Sequence, residues 1–169
     1  MKKIVLLFLS SIVLMSCGSD KKKQGTEEVV VKDNYSVEIE GIYEKDDSII
    51  VHYQISNYYM YDNPVNQVVK GSPMLQKIDI SIPEGVAIEN VKLIVSSNKK
   101  QVFLDIRNII LKNNKKIIDG YDKLNYSEYF ATDDKFSWDD NNSRFILDHT
   151  GENPPTMVGK ETLLSLLVK

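Results

Sequence analysis

Few side chains in this 169-residue chain are spaced for chemistry. It has two histidines, His52 and His149, and a single cysteine, Cys17. It contains no Gly-x-Ser-x-Gly elbow, no His-Glu-x-x-His pair and no glycine-rich phosphate loop. Adjacent carboxylates recur as Asp46-Asp47, Asp133-Asp134 and Asp139-Asp140. Each pair lies in a turn-like polar stretch and reads as solvated, since neighbours in sequence need not converge on one substrate bond. Asp139, Asn141 and Ser143 have the spacing of the first three oxygen ligands of a calcium loop. However, Arg144 stands where that loop needs glycine, and Thr150 where it needs a bidentate glutamate, so a hairpin turn is expected instead. One cysteine and two distant histidines argue against zinc. The expectation is a non-catalytic chain with no metal and no cofactor.

Aromatic residues carry more. Tyr58, Tyr59 and Tyr61 gather around Met60 in a segment rich in turn formers, with Asn57, Asp62, Asn63, Pro64, Gly71 and Pro73. A stretch of that length without a clear period is usually functional or disordered. A loop tyrosine offers a rigid apolar face and a polar handle, which suits stacking on a sugar or on a protein partner. Plain loop packing is the competing explanation. Trp138 is the sole tryptophan, beside Asp139 and Asp140. It shares a strand face with Phe136, so core packing is its first explanation and ligand binding its second. Tyr58, Tyr59, Tyr61 and Trp138 are the candidate ligand-binding residues.

The cysteine is informative for its setting. Lys2 and Lys3 precede an uncharged run over residues 4–15, and Leu14-Met15-Ser16-Cys17 closes it. A basic start, an apolar stretch too short to span a bilayer and a small residue before the cut make a signal peptide of residues 1–16. Its last four residues resemble the lipobox of bacterial lipoproteins. The resemblance implies that the signal is removed and that Cys17 becomes an acylated first residue, carrying palmitate among its chains. Each buried methylene contributes roughly 0.8 kcal/mol, and two or more chains hold firmly to a membrane. Residues 17–33 then read as a lipidated tether, polar and charged, with a span on the order of 20 Å. Gly18-Ser19-Asp20 is followed by three lysines rather than an acidic run. By resemblance this implies an outer-membrane lipoprotein facing the periplasm.

Loss of Lys2 and Lys3 leaves about 19 basic residues against 24 acidic ones, a net charge near −5. Such a surface matches neither nucleic acid nor anionic head groups. With its only thiol acylated, the domain has no internal disulfide and must hold together by packing.

The elements that must position these residues are mostly strands. Val37 and Ile39 alternate with glutamates. Ile49, Val51, Tyr53 and Ile55 form a second run, with His52 on the opposite face. Ile78, Ile80 and Ile82 form a third, stopped by Pro83-Glu84-Gly85. Val91, Leu93 and Val95 make a fourth. Val102, Leu104 and Ile106, continuing to Ile109 and Leu111, make a fifth after a turn at residues 96–100. Ile117-Ile118 reads as a short strand. Phe136 and Trp138 pair with Phe145 and Leu147 around a polar turn. Residues 122–130 read as a short helix, and the leucines at 163, 164, 166 and 167 as a terminal one. Short strands at regular spacing predict an all-β, antiparallel β-sandwich over residues 34–169.

Residues 91–111 resemble the paired strands of a galactose-binding-like jelly roll: Val91-Lys92-Leu93-Ile94-Val95, a polar turn with Asn98 and Gln101, then Val102 to Leu111. Similar segments occur in small lipoproteins of diderm bacteria. Tyr129-Phe130, the Phe136/Trp138 hairpin and Asn153-Pro154-Pro155 follow in the order that resemblance implies. The expected function is binding, of a glycan or cell-envelope polysaccharide. The alternative is a protein-interaction subunit of an envelope assembly, or an inhibitor or immunity lipoprotein.

Overall fold

Period-two runs of valine, isoleucine and leucine favour a pleated backbone, because alternate side chains then share one buried face. The computed structural model describes residues 33–114, 116–118 and 126–168. All belong to the unit Val31–Lys169. The expected signal peptide, Cys17 and the expected tether up to residue 32 lie outside the described residues.

The strands are β1 (Tyr35–Ile42), β2 (Asp47–Ile55), β3 (Tyr58–Tyr59), β4 (Val65–Val69), β5 (Gln76–Ser81), β6 (Asn90–Ile94), β7 (Phe103–Asn113), β8 (Lys116–Ile118), β9 (Phe130–Thr132), β10 (Phe136–Asp139), β11 (Arg144–Leu147) and β12 (Thr156–Gly159). Two short helices join them, α1 (Tyr126–Tyr129) and the C-terminal α2 (Glu161–Leu167). One sheet runs β10-β11-β7-β1-β5, with β8 also on β7. The other runs β3-β2-β6-β12-β9, with β4 also on β2. Every pairing is antiparallel. The fold is an all-β antiparallel sandwich with two short helices.

Its core is one cluster drawn from both sheets. Val37, Ile39, Ile80, Leu104, Ile109 and Leu111 come from the first, Ile49, Val51, Tyr53, Leu93 and Met157 from the second. Leu163 of α2 closes it. Strand β7 keeps a buried face along its length by changing phase. Glu40 pairs with Asn108 and Gly41 with Ile106, so Arg107 has no partner in the register. This bulge lets Leu104 and Ile106 point inward on one side of it and Ile109 and Leu111 on the other. Gly41 fits there because a Cβ would come within 2.8 Å of the Asp105 carbonyl oxygen.

Several expectations need correction. Val102 does not share the buried face of Leu104: it is 44 % exposed. It precedes β7, where the alternation does not yet apply, and the buried neighbour is Gln101. Gln101 accepts a bond from the Lys45 amide at 2.8 Å. Residues 58–74 are not an unpaired loop, since β3 and β4 both pair with β2. Strands β9 and β12 were also not legible as period-two runs, being three and four residues long. The helix expected over residues 122–130 is described only as α1, and Phe130 already belongs to β9; residues 122–125 lie outside the described residues.

Asp47 is not a solvated turn residue either, at 6 % exposure. Its carboxylate accepts backbone N–H groups of Ser48, Ser97 and Asn98 at 2.7–2.9 Å, and the Ser96 hydroxyl. Asp46, its neighbour, is the exposed member. Bonds from Lys70 and the Gly71 amide hold its carboxyl below the ordinary value.

Candidate functional site: a groove on the outer face of the second sheet

With Ile49, Val51 and Tyr53 turned inward, Ile50 and His52 of β2 point to the outer face of their sheet. The register extends that face across the sheet. Ile50 lies beside Ile94, and Ile94 beside Thr156. His52 lies beside Lys92, Lys92 beside Val158, and Val158 beside Ala131. These cross-strand rows supply the floor of an open groove of about 700 Å³, which contains His52, Lys92, Ile94, Thr156 and Val158. Tyr61 forms one wall. Residues 133–135 and 150–154 form the other.

The tyrosine wall is built on a tight hairpin. Ser56 and Asn57 have φ of 50° and 61°, and Ile55 pairs directly with Tyr58. Positive φ at both central residues matches the twist of the flanking strands. The chain then doubles back, with the Met60 amide on the Tyr53 carbonyl at 2.9 Å. Tyr58 is 54 % and Tyr61 47 % exposed, and Tyr59 is half-buried. The Tyr61 ring lies 6.1 Å from each of the other two tyrosines and 5.0 Å from the His52 ring. Burial, with Tyr61 adding to it, pushes the Tyr59 hydroxyl pKa up. Lys92 Nζ sits 5.4 Å from the centre of the Tyr61 ring, close enough for a cation–π contact.

The opposite wall is polar and internally bonded. Asp133 accepts the amides of Lys135 and Thr156 at 3.0 and 3.1 Å. Partial burial raises its carboxyl above the ordinary value, against the pull of those two bonds. Lys135 donates to the Thr150 carbonyl at 3.0 Å and lies 3.4 Å from Asp148. Asp134, Glu152 and Asn153 stay exposed along the rim.

The outer face of the first sheet is different. There Lys77 bridges Glu38 and Glu40, Lys112 meets Glu38 at 2.8 Å, and Arg107 meets Asp105 at 2.6 Å. These pairs join part-exposed lysines and arginine to more covered acids and leave that face charge-paired.

Trp138 stands apart from the tyrosines, on the other sheet. It is 50 % exposed, so it is not a core residue. Its strand face does point inward with Phe136, but β10 is the sheet's edge and lacks cover there. Its indole packs edge-on to Phe145 at 5.1 Å. Asp139 is engaged inside its own hairpin, accepting the Asn142 side-chain amide at 2.7 Å. Among the described residues no cluster of three metal-ligating side chains occurs, and no helix is long and apolar enough to cross a membrane.

Lys92, Asp134, Glu152 and Asn153 escaped sequence reasoning as members of one site. The available signal was local: Lys92 and Ile94 alternate with the buried Val91, Leu93 and Val95, which assigns them to the outer face of β6. Compared with known proteins, the chain matches no family model, no curated protein and no solved structure.

Proposed function

We propose that this chain is a lipid-anchored envelope lipoprotein whose sandwich binds a carbohydrate, without catalysis, in the groove on its second sheet. One observation carries the reading: an exposed aromatic ring, Tyr61, shares a groove with the amide and carboxylate edges of Asn153, Asp134 and Glu152. A sugar presents apolar C–H faces and polar hydroxyl edges at once. An aromatic face stacks on the former, and carboxylates and amides bond to the latter. Ile94 and Val158 give the floor an apolar strip. The lipobox-like end of the signal at Cys17 supports the anchoring, and the acidic surface supports an envelope ligand rather than nucleic acid.

The test is affinity electrophoresis through gels containing envelope polysaccharides, with wild type and Tyr61→Ala. The expected result is binding that weakens by about 2 kcal/mol, as for an anchor residue, with the melting temperature nearly unchanged. Equal retardation of both proteins overturns the groove reading. A large drop in melting temperature shows instead that Tyr61 serves the fold.

A second reading is favoured by a separate observation. Val68 of edge strand β4 is 75 % exposed, and Met74 and Leu75 between β4 and β5 are 70 % and 52 % exposed. Exposed apolar side chains near an unpaired strand edge suit a protein partner. Co-purification of an envelope protein that persists in Tyr61→Ala and vanishes in Val68→Asp would favour this interaction role.

A further inference from the structure

Lys92 is a lysine on a central strand, in the middle of an otherwise uncharged row. Its register neighbours are His52 and Val158, and its ammonium lies by the Tyr61 ring. The lysines on the outer face of the first sheet each meet a glutamate. Lys92 meets no carboxylate among the described residues. The other lysine of the groove, Lys135, is already held by Asp148 and the Thr150 carbonyl. Asp133, the partly buried carboxylate of the opposite wall, is engaged by the backbone amides of Lys135 and Thr156.

Lys92 is partly buried through its stem, and its ammonium, beside the Tyr61 ring, meets no protein carboxylate among the described residues. A neutral sugar stacked on Tyr61 would displace water from it and leave it poorer. An anionic group arriving there forms a charge-assisted bond instead, among the stronger contacts available to a ligand. The rim carboxylates Asp134 and Glu152 favour one anion per sugar unit over several, since they repel further negative charge.

We propose that Lys92 is a specificity-determining residue: it makes the groove select a sugar unit carrying one negative charge, with the ring on Tyr61 and the anion on Lys92. This rests on reading the groove as a carbohydrate site. Uronic carboxylates and sugar sulfates share that chemistry.

The experiment is titration calorimetry of the full chain in detergent. The probes are polygalacturonate and alginate for carboxylates and a singly sulfated carrageenan for sulfate. Each is compared with its carboxyl-reduced or desulfated form, which keeps the ring and removes the charge. The acidic forms are expected to bind about tenfold more tightly than the neutral ones or better. Lys92→Gln should erase that difference, and Lys92→Arg should restore most of it. Selectivity confined to the uronates or to the sulfate assigns the anion. Equal binding of acidic and neutral forms, weakened by Tyr61→Ala, overturns the role of Lys92 and leaves the groove standing. Absence of binding to every polymer in either form overturns the groove reading itself. Melting temperatures of both Lys92 variants within a few degrees of wild type show that the comparison concerns binding and not folding.

Discussion

Five donors converge on the carboxylate of Asp47: the amides of Ser48, Ser97 and Asn98 and the hydroxyls of Ser96 and Ser97. Through them one side chain fixes the loop between β6 and β7 to the start of β2. A buried donor left without an acceptor costs about 1–3 kcal/mol, as at the Ser96 hydroxyl, and less at the part-buried amides, which water can reach. Asp47→Ala is therefore expected to lower stability by about 2–4 kcal/mol in denaturant melts, allowing for partial rehydration of the loop. A loss under about 1 kcal/mol would mean that water substitutes freely for the carboxylate. Nothing in the local sequence separates Asp47 from Asp46. The donors that distinguish them stand some 50 positions away, and only the pairing of β2 with β6 brings them in. Trp138 fails to read correctly for a related reason. Its strand parity is right, yet whether a face is covered depends on the position of its strand in the sheet, which no short window of sequence contains.

The longer strands whose apolar residues recur at every second position were readable, because burial imposes that period: β1, β2, β5, β6 and, on either side of its bulge, β7 carry it. Strands β3, β9 and β12 are two to four residues long and, unlike β10 and β11, are not paired by a short polar turn that the sequence shows; their partners lie in other strands of the sheet. Strand β7 is the instructive long case. Its apolar residues change phase between Ile106 and Ile109, which the bulge at Arg107 accommodates. Leu104 is fully buried and Val102 is not. Leu104→Ala is expected to cost about 2–5 kcal/mol, from lost transfer energy and the cavity left behind. Val102→Ala is expected to stay within about 0.5 kcal/mol, as for an exposed site. Equal losses in parallel denaturant melts would place the start of β7 in the wrong phase.

At the scale of the molecule, the two outer faces divide the surface into a charge-paired side and a grooved side. The tyrosine half of the groove was legible, because three tyrosines fall within four positions. The other half was not: β12 joins β6 to β9, and that topology alone sets residues 133–135 and 150–154 opposite Tyr61. Attachment belongs to this scale too, as a proposal read from residues 1–17. Cys17→Ala should abolish incorporation of a labelled fatty acid and release the protein from washed membranes, since the thiol is the acceptor. Equal label in both proteins would refute it.

The hairpin that carries Tyr58, Tyr59 and Tyr61 hangs on the edge of β2 that faces away from β6. Its side chains contribute little to the central cluster. Apart from Met60, which packs against the core, residues 56–64 are therefore free to change in length and identity at little cost to the sandwich. Substitutions there leave the buried isoleucines of the two sheets untouched.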